Sequence, residues 1–189
     1  ASCLVGSEMC IRDSFYIERT LRERMKIPVF HDDQHGTAII VAAAILNGLK
    51  VVGKDVKKAK LVVSGAGAAA LACLDLMLDL GFPREHIFVT DLAGVVYEGR
   101  VELMDPDKEK FAQKTDARTL GEVIVDADIF LGLSAGGVLK PAMVAAMAKR
   151  PVILALANPT PEILPDEIRA VRDDLSLIHI SEPTRQEAI

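Results

Sequence analysis

A parallel β-sheet with helices packed on both faces is the fold class that this sequence predicts, and three observations predict it. Short apolar runs recur along the chain, as "AKLVVSG", "HIFVTD", "DIFLGLS" and "PVILALANPT". They are continuous and not alternating, as strands buried on both faces are. Helical patterns with recognisable start and stop signals separate them, and strand–helix alternation of this kind builds a doubly wound α/β sheet.

The elements follow in order. "FYIERTLRERM" reads as a short amphipathic helix, and "KIPVFHDDQHGT" as an extended piece followed by a polar loop. Thr37 to Leu49 is Ala-rich and apolar on most sides, hence a largely buried helix, with Gly48 and Gly53 marking its end. After the first strand, "AAALACLDLMLDLG" is a helix closed by Gly81. The second strand leads into a long polar connection, "GVVYEGRVELMDPDKEKFAQKTD". "TLGEVIVDA" opens with a capping box, Thr119 and Glu122, and predicts a helix. "KPAMVAAMAKR" carries Pro141 in its first turn, and "LPDEIRAVRDD" begins a last helix.

Bulk properties narrow the function classes. The chain has 189 residues, half of them hydrophobic, which suits one domain with a sizeable core. Its net charge of −5 and the lack of a basic cluster argue against a nucleic-acid partner. Apolar stretches such as "TAIIVAAAILNGL" fall short of the roughly 18 residues of a spanning helix, so no membrane partner is expected. No signal peptide opens the chain. The cysteines, Cys3, Cys10 and Cys73, are odd in number and fit no metal finger, which suits a reducing, cytoplasmic setting.

Chemistry gathers at the strand ends. The first strand runs into Gly65-Ala66-Gly67-Ala68-Ala69-Ala70, a Gly-x-Gly-x-x-Ala turn between strand and helix. Gly65 permits the tight turn, Gly67 lets backbone approach a pyrophosphate, and Ala70 lets the helix pack closely. This turn makes the fold Rossmann-like. Asp91 ends the second strand, 26 residues after Gly65, where a carboxylate can accept from an adenosine ribose. Alone it favours NAD, because it repels a 2′-phosphate; Arg100 could offset it for NADP. Ser134 in "GLSAGG" and Asn158 in "ANPTPE" end the third and fourth strands. Ligands of open α/β sheets bind beyond the carboxyl ends of the strands, so these residues share one dinucleotide edge. "FHDDQHGT" adds His31, Asp32, Asp33 and His35. Adjacent carboxylates suit a hard divalent cation, Mg²⁺ or Mn²⁺; they equally suit N-caps of the Thr37 helix.

Taken together, "MKIPVFHDDQHGTAIIVAAAILNGLKVVGKDVKKAKLVVSGAGAAALACLDLMLDLG", "VTDLAGVVYEGR", "TDARTLGEVI", "FLGLSAGGVLKP" and "ILALANPTPEILP" resemble bacterial malic enzyme, from Phe15 to Asp174. The resemblance implies oxidative decarboxylation of malate to pyruvate and CO₂ with NADP⁺ or NAD⁺ and Mg²⁺ or Mn²⁺, in a homo-oligomeric parent. It implies that Asp33 is a metal ligand, Asp32 its acidic neighbour in the catalytic site, and Asn158 a residue near substrate and nicotinamide. Gly65 to Ala70 match the phosphate turn. The family's Glu-Asp metal ligands and its catalytic Tyr and Lys belong to upstream segments that have no counterpart here. The expectation is a fragment truncated at both ends, with no malate turnover of its own. The alternatives are a non-catalytic nucleotide-binding or redox-sensing module, and another Rossmann dehydrogenase; the acidic loop together with "ANPTPE" argues against the latter.

The two ends read differently. One short DNA, resembling a transposase-type sequencing adapter, can encode Leu4 to Ser14 on one strand and Leu175 to Arg185 on the other. Residues 1–14 are therefore expected to be adapter-derived and disordered, and 175–189 an adapter-derived tail whose "SLIHI" run is no strand of the native fold. Between them lie 15–36, a remnant of a linker and metal-site segment, and 37–174, an incomplete NAD(P)-binding domain.

Overall fold

The structure is a computed structural model that describes the backbone of residues 7–179 and the side chains of 16–32 and 34–177. Its elements are α1 (Ser7–Arg24), α2 (Thr37–Val52), β1 (Leu61–Ser64), α3 (Ala68–Asp79), β2 (Ile87–Asp91), β3 (Gly94–Val95), α4 (Pro106–Glu109), α5 (Leu120–Val123), β4 (Ile129–Gly132), α6 (Pro141–Ala146), β5 (Val152–Ala155), α7 (Pro165–Arg169) and β6 (Ser176–His179). The strands form one sheet in the order β3-β2-β1-β4-β5-β6. Every pairing is parallel except β2 with β3. The predicted doubly wound α/β sheet is thus the observed one.

Side-chain alternation along the strands feeds two separate cores. Leu61 and Val63 of β1, Ile129 and Leu131 of β4, and Val152 and Leu154 of β5 face α2 and α3, where they meet Ile45, Leu49, Leu74 and Met77. Val62, Phe130 and Ile153 face the other way, toward Ile124, Leu139, Val144 and Ile168. All residues of β1, β4 and β5 are buried, which is why these strands read as solid apolar runs. Cys73 is wholly buried in α3, and burial pushes its thiol up to about 12, as befits an inert core residue.

Helix ends follow their signals. Gly53 caps α2 in the left-handed region, and Gly81, at φ +88°, turns the chain out of α3. Thr119 and Glu122 form the expected capping box, with the Thr119 N–H donating to Glu122 Oε2 at 3.0 Å. The long polar connection is more ordered than its composition suggests. Asp105 caps α4 by accepting from the N–H groups of Asp107 and Lys108, and Phe111 anchors the segment in the core without exposed surface.

Four expectations change. Helix α1 begins at Ser7, inside the stretch expected to be disordered; Glu8, Met9, Ile11 and Arg12 tolerate helix well, and the run continues into a helix that carries its own signal. A π-helical turn at Asp32–Gly36 precedes α2 directly where a loop was expected. The helical run Gln34–Val52 is therefore long and apolar enough to cross a membrane, which the isolated "TAIIVAAAILNGL" was not. Here it lays Val41, Ile45 and Leu49 into the core. Finally, Ser176–His179 is a strand after all, paired in parallel with β5. A β-prone apolar run beside an open sheet edge finds its ladder there, and Leu175 and Leu177 pack on the second core.

Candidate dinucleotide site

Strand β1 lies between β2 and β4, so the chain order reverses at β1. The crevice for a ligand opens beyond the carboxyl ends of the strands at such a reversal. The phosphate turn occupies that place. Gly65 sits at φ +111°, a conformation L side chains rarely adopt, and a Cβ on it would collide with the carbonyl oxygen of Leu133. Its N–H donates to the Thr90 carbonyl at 2.8 Å, and the Leu133 N–H donates to the Ser64 carbonyl at 2.8 Å, so three strand ends are tied at one point.

Gly67 is extended and serves as N-cap of α3, with no side-chain cap. Nothing lies within 4 Å of where its Cβ would be. The N–H groups at the start of α3, over Ala68, Ala69 and Ala70, therefore face an open approach with the positive end of the helix behind them. Ala70 is buried against the sheet, and Ala66 packs on the same core. A pyrophosphate fits this cradle: the backbone is bare where it must come close, and the helix donors are uncapped.

Asp91 ends β2 as predicted, but its carboxylate is taken. Arg100 Nη1 donates to Oδ1 at 2.9 Å and Nη2 to Oδ2 at 2.5 Å. Lys108 Nζ donates to Oδ2 at 3.1 Å, and the Ala93 N–H to Oδ1 at 2.9 Å. Each oxygen thus accepts two bonds, which fills the lone-pair sites of a carboxylate. Burial works to raise the Asp91 pKa, but the bonds from Arg100, Lys108 and Ala93 and the Arg100 charge outweigh it and hold the carboxyl below its ordinary range. Arg100 is itself buried and also donates to the carbonyls of Gly94 and Val95. Two cations, Arg100 and Lys108, face the Asp91 carboxylate, and Asp105 Oδ2 lies 4.0 Å from Lys108 Nζ, so two cations and two carboxylates meet at this corner.

Ser134 follows β4, and its Oγ lies 2.8 Å from Ser64 Oγ. Asn158 follows β5, exposed, with a cis peptide bond to Pro159. The structure thus brings Gly65–Ala70, Asp91, Ser134 and Asn158 to one edge. Sequence reasoning overlooked Glu162 there. It has no exposed surface, and it accepts from the N–H groups of Ser134 and Ala157 at 2.9 and 3.1 Å. Lys108 was likewise missed, because it lies far along a polar connection.

The acidic loop is placed separately. Its π-turn packs against α2 and α3. Asp32 is exposed, and its carboxylate folds over Gly36, where a Cβ would collide with Oδ1. Asp32 does not cap α2, whose N-cap position is Gly36. His35 Nδ1 accepts from the His31 N–H, and its Nε2 lies 3.6 Å from the buried Glu18 of α1. Among the described residues no group of three or more His, Cys, Asp or Glu is placed to hold a metal ion.

Comparison with known proteins decides the family. The family described as "Malic enzyme, NAD binding domain" matches residues 34–187. The chain belongs to this family. The match to the malic enzyme domain continues past Asp174, into the segment that the sequence sets apart as a tail. An NAD-dependent malic enzyme of Rhizobium meliloti is 62% identical over 162 residues, 86% of this chain and 21% of that protein. An NADP-dependent malic enzyme of Haemophilus influenzae is 59% identical over 163 residues, 86% of this chain and 22% of that protein. The crystal structure of the NAD-dependent malic enzyme of Thermotoga maritima superposes with a TM-score of 0.81 at 37% identity, covering 91% of this chain and 46% of that one. The chain therefore spans about a fifth of the length of the curated relatives it matches. Another Rossmann dehydrogenase family, the alternative left open by the sequence, does not survive this match.

Proposed function

We propose that this malic enzyme domain binds NADP⁺ for the oxidative decarboxylation of malate to pyruvate and CO₂. The observation that carries the binding is the bare phosphate turn, Gly65 to Ala70, on an uncapped helix N-terminus at the sheet's reversal point. In this reading the pyrophosphate sits on the N–H groups of Ala68 to Ala70. The end of β2 at Asp91 would hold the adenosine ribose, and Ser134 and Asn158, after β4 and β5, would meet the nicotinamide. Bound there, the nicotinamide would supply the hydride acceptor for malate, giving pyruvate, CO₂ and NADPH, a sum in which charges and hydrogens balance without a further reactant.

The preference for NADP⁺ follows from the Asp91 corner. An Asp that accepts from a ribose 2′-hydroxyl would favour NAD⁺. Here its lone pairs are filled by Arg100, Lys108 and Ala93. A 2′-phosphate would therefore meet an Asp91 already neutralised by Arg100 and Lys108, two cations that can bond a phosphate. Lys108, the more exposed of the two cations, would exchange its bonds to Asp91 Oδ2 and the Leu103 carbonyl for the phosphate. The relatives' names carry both cofactors, so the preference rests on the occupied Asp91 carboxylate and not on resemblance.

A divalent cation, Mg²⁺ or Mn²⁺, belongs to the proposed parent reaction, where it would polarise the carbonyl formed from the malate hydroxyl. Asp33, with Asp32 beside it, is this chain's proposed contribution to that site, with Asp32 and Asn158 beside the substrate. The described donors alone do not complete a metal site.

Calorimetric titration of the chain with NADP⁺ and NAD⁺ tests the reading. NADP⁺ should bind more tightly, and Lys108→Ala should weaken it about tenfold, which is roughly 1.4 kcal/mol, while leaving NAD⁺ unchanged. Tighter binding of NAD⁺ would overturn the preference. Failure of the folded chain to bind either would overturn the site.

A further inference from the structure

Glu162 is a carboxylate with no exposed surface at the same edge as the phosphate turn. Burying a carboxylate is costly unless donors satisfy it. Its donors come from two different loops. Oε1 accepts from the Ser134 N–H at 2.9 Å and lies 3.4 Å from Ser134 Oγ, in the loop after β4. Oε2 accepts from the Ala157 N–H at 3.1 Å, in the loop after β5 and next to Asn158. The Glu162 backbone carbonyl also accepts from the Leu139 N–H at 3.0 Å, a second tie between the loop after β4 and the loop after β5 that carries Glu162.

The connection continues toward the phosphates. Ser134 Oγ is 2.8 Å from Ser64 Oγ, the residue before Gly65. A carboxylate only accepts, so the hydroxyl chain runs from Ser64 to Ser134 to Glu162. The ends of β1, β4 and β5 are thereby held in one register by side chains, in addition to the sheet's own ladder. The fold makes room for this at Gly132, the last residue of β4, where a Cβ would collide with the Glu162 carboxylate.

We propose that Glu162 is a positioning residue for the nicotinamide half of the cofactor site. Its buried carboxylate fixes Ser134 and the Asn158 loop relative to each other, and through Ser64 relative to the phosphate turn. It touches neither cofactor nor substrate. The adenosine half lies over β1 and β2, outside its reach. The proposal rests on the dinucleotide reading above, and it predicts a loss confined to one half of the ligand.

The test compares NADP⁺ with adenosine 2′,5′-bisphosphate, which keeps the adenosine and its phosphates but lacks the nicotinamide. Both are titrated into the full chain and into Glu162→Gln and Gly132→Ala, with circular dichroism to follow folding. The first variant replaces one acceptor by a donor aimed at an N–H group. The second displaces the carboxylate by a methyl group and leaves Ser134 and Asn158 intact. Each should weaken NADP⁺ about tenfold and leave the half-ligand within about twofold. An unchanged NADP⁺ to half-ligand ratio in either folded variant overturns the proposal. So does parallel loss of both ligands in both variants, which would make Glu162 a purely structural residue. If Glu162→Gln alone fails to fold, Gly132→Ala decides. A wild-type chain that binds neither ligand would instead overturn the dinucleotide reading itself.

Discussion

At the scale of single residues, Asp91 shows how an environment reassigns a side chain. Its position at the end of β2 suggests a ribose acceptor, but Arg100 and Lys108 turn it into the anionic centre of an ion cluster. Its side chain keeps only 9% of its surface exposed. Replacing it by Asn leaves two cations facing one another across a neutral amide. Asp91→Asn should cost about 2–3 kcal/mol at neutral pH, discounted from the full penalty for breaking a buried pair because the site is near the surface. The carboxyl's pKa is lowered in the folded state, so the stability it adds is present above the unfolded pKa of about 4 and is lost as pH falls through the folded value. Denaturant unfolding of both proteins from pH 7 down to pH 3 measures this. The gap between them should be full at neutral pH and shrink below about pH 4; a gap that stays constant would mean that the Asp91 charge is not its source. Asp91 itself was legible from its spacing to Gly65. Its partners were not, because nothing in "GVVYEGRVELMDPDKEK" says that the chain doubles back to set Arg100 and Lys108 on the same carboxylate.

At the scale of elements, the phosphate turn was readable because its chemistry is local. Spacing alone assigns Gly65 to a tight turn, Gly67 to a bare approach and Ala70 to close packing, and each role is realised within a stretch of six residues. Glu162 was unreadable for the opposite reason. Its role depends on Ser134, 28 residues away in sequence, and on the absence of a side chain at Gly132. The two glycines of the turn now separate stability from binding. Gly65→Ala places a Cβ at positive φ against the Leu133 carbonyl and should cost roughly 2–4 kcal/mol. Gly67→Ser should do the reverse. The Gly67 backbone, at φ −84° and ψ −177°, is already that of a helix N-cap, and the space beside it is open. Serine there caps α3 and should leave stability unchanged or raise it by about 0.5 kcal/mol. The same hydroxyl occupies the approach and competes for the N–H groups that a pyrophosphate needs, so dinucleotide affinity should fall at least tenfold. Thermal melts beside calorimetric titrations would show the opposed effects. A Gly67→Ser chain that binds as wild type would remove the pyrophosphate from that helix end.

At the scale of the whole molecule, the sheet supplies one half of the proposed reaction site. Its carboxyl edge holds the phosphate turn, the ion cluster at Asp91 and the buried Glu162 carboxylate, the groups on which the proposed dinucleotide site rests. Oxidising malate also requires a bound cation and groups that move protons on the substrate. Among the described residues no three donors gather for a metal. The malic enzyme resemblance assigns the remaining ligands and the catalytic Tyr and Lys to segments upstream of Phe15, and the chain covers 21% of the length of a relative 62% identical to it. Cofactor binding and turnover should therefore separate in this chain. With malate, Mn²⁺ and NADP⁺ present, absorbance of the reduced nicotinamide should not rise above the rate without protein, while calorimetry on the same sample detects saturable NADP⁺ binding. Malate-dependent reduction at the rate of a malic enzyme would place the missing proton-transfer and metal-binding groups within these residues, and the division of labour proposed for the sheet edge would be wrong.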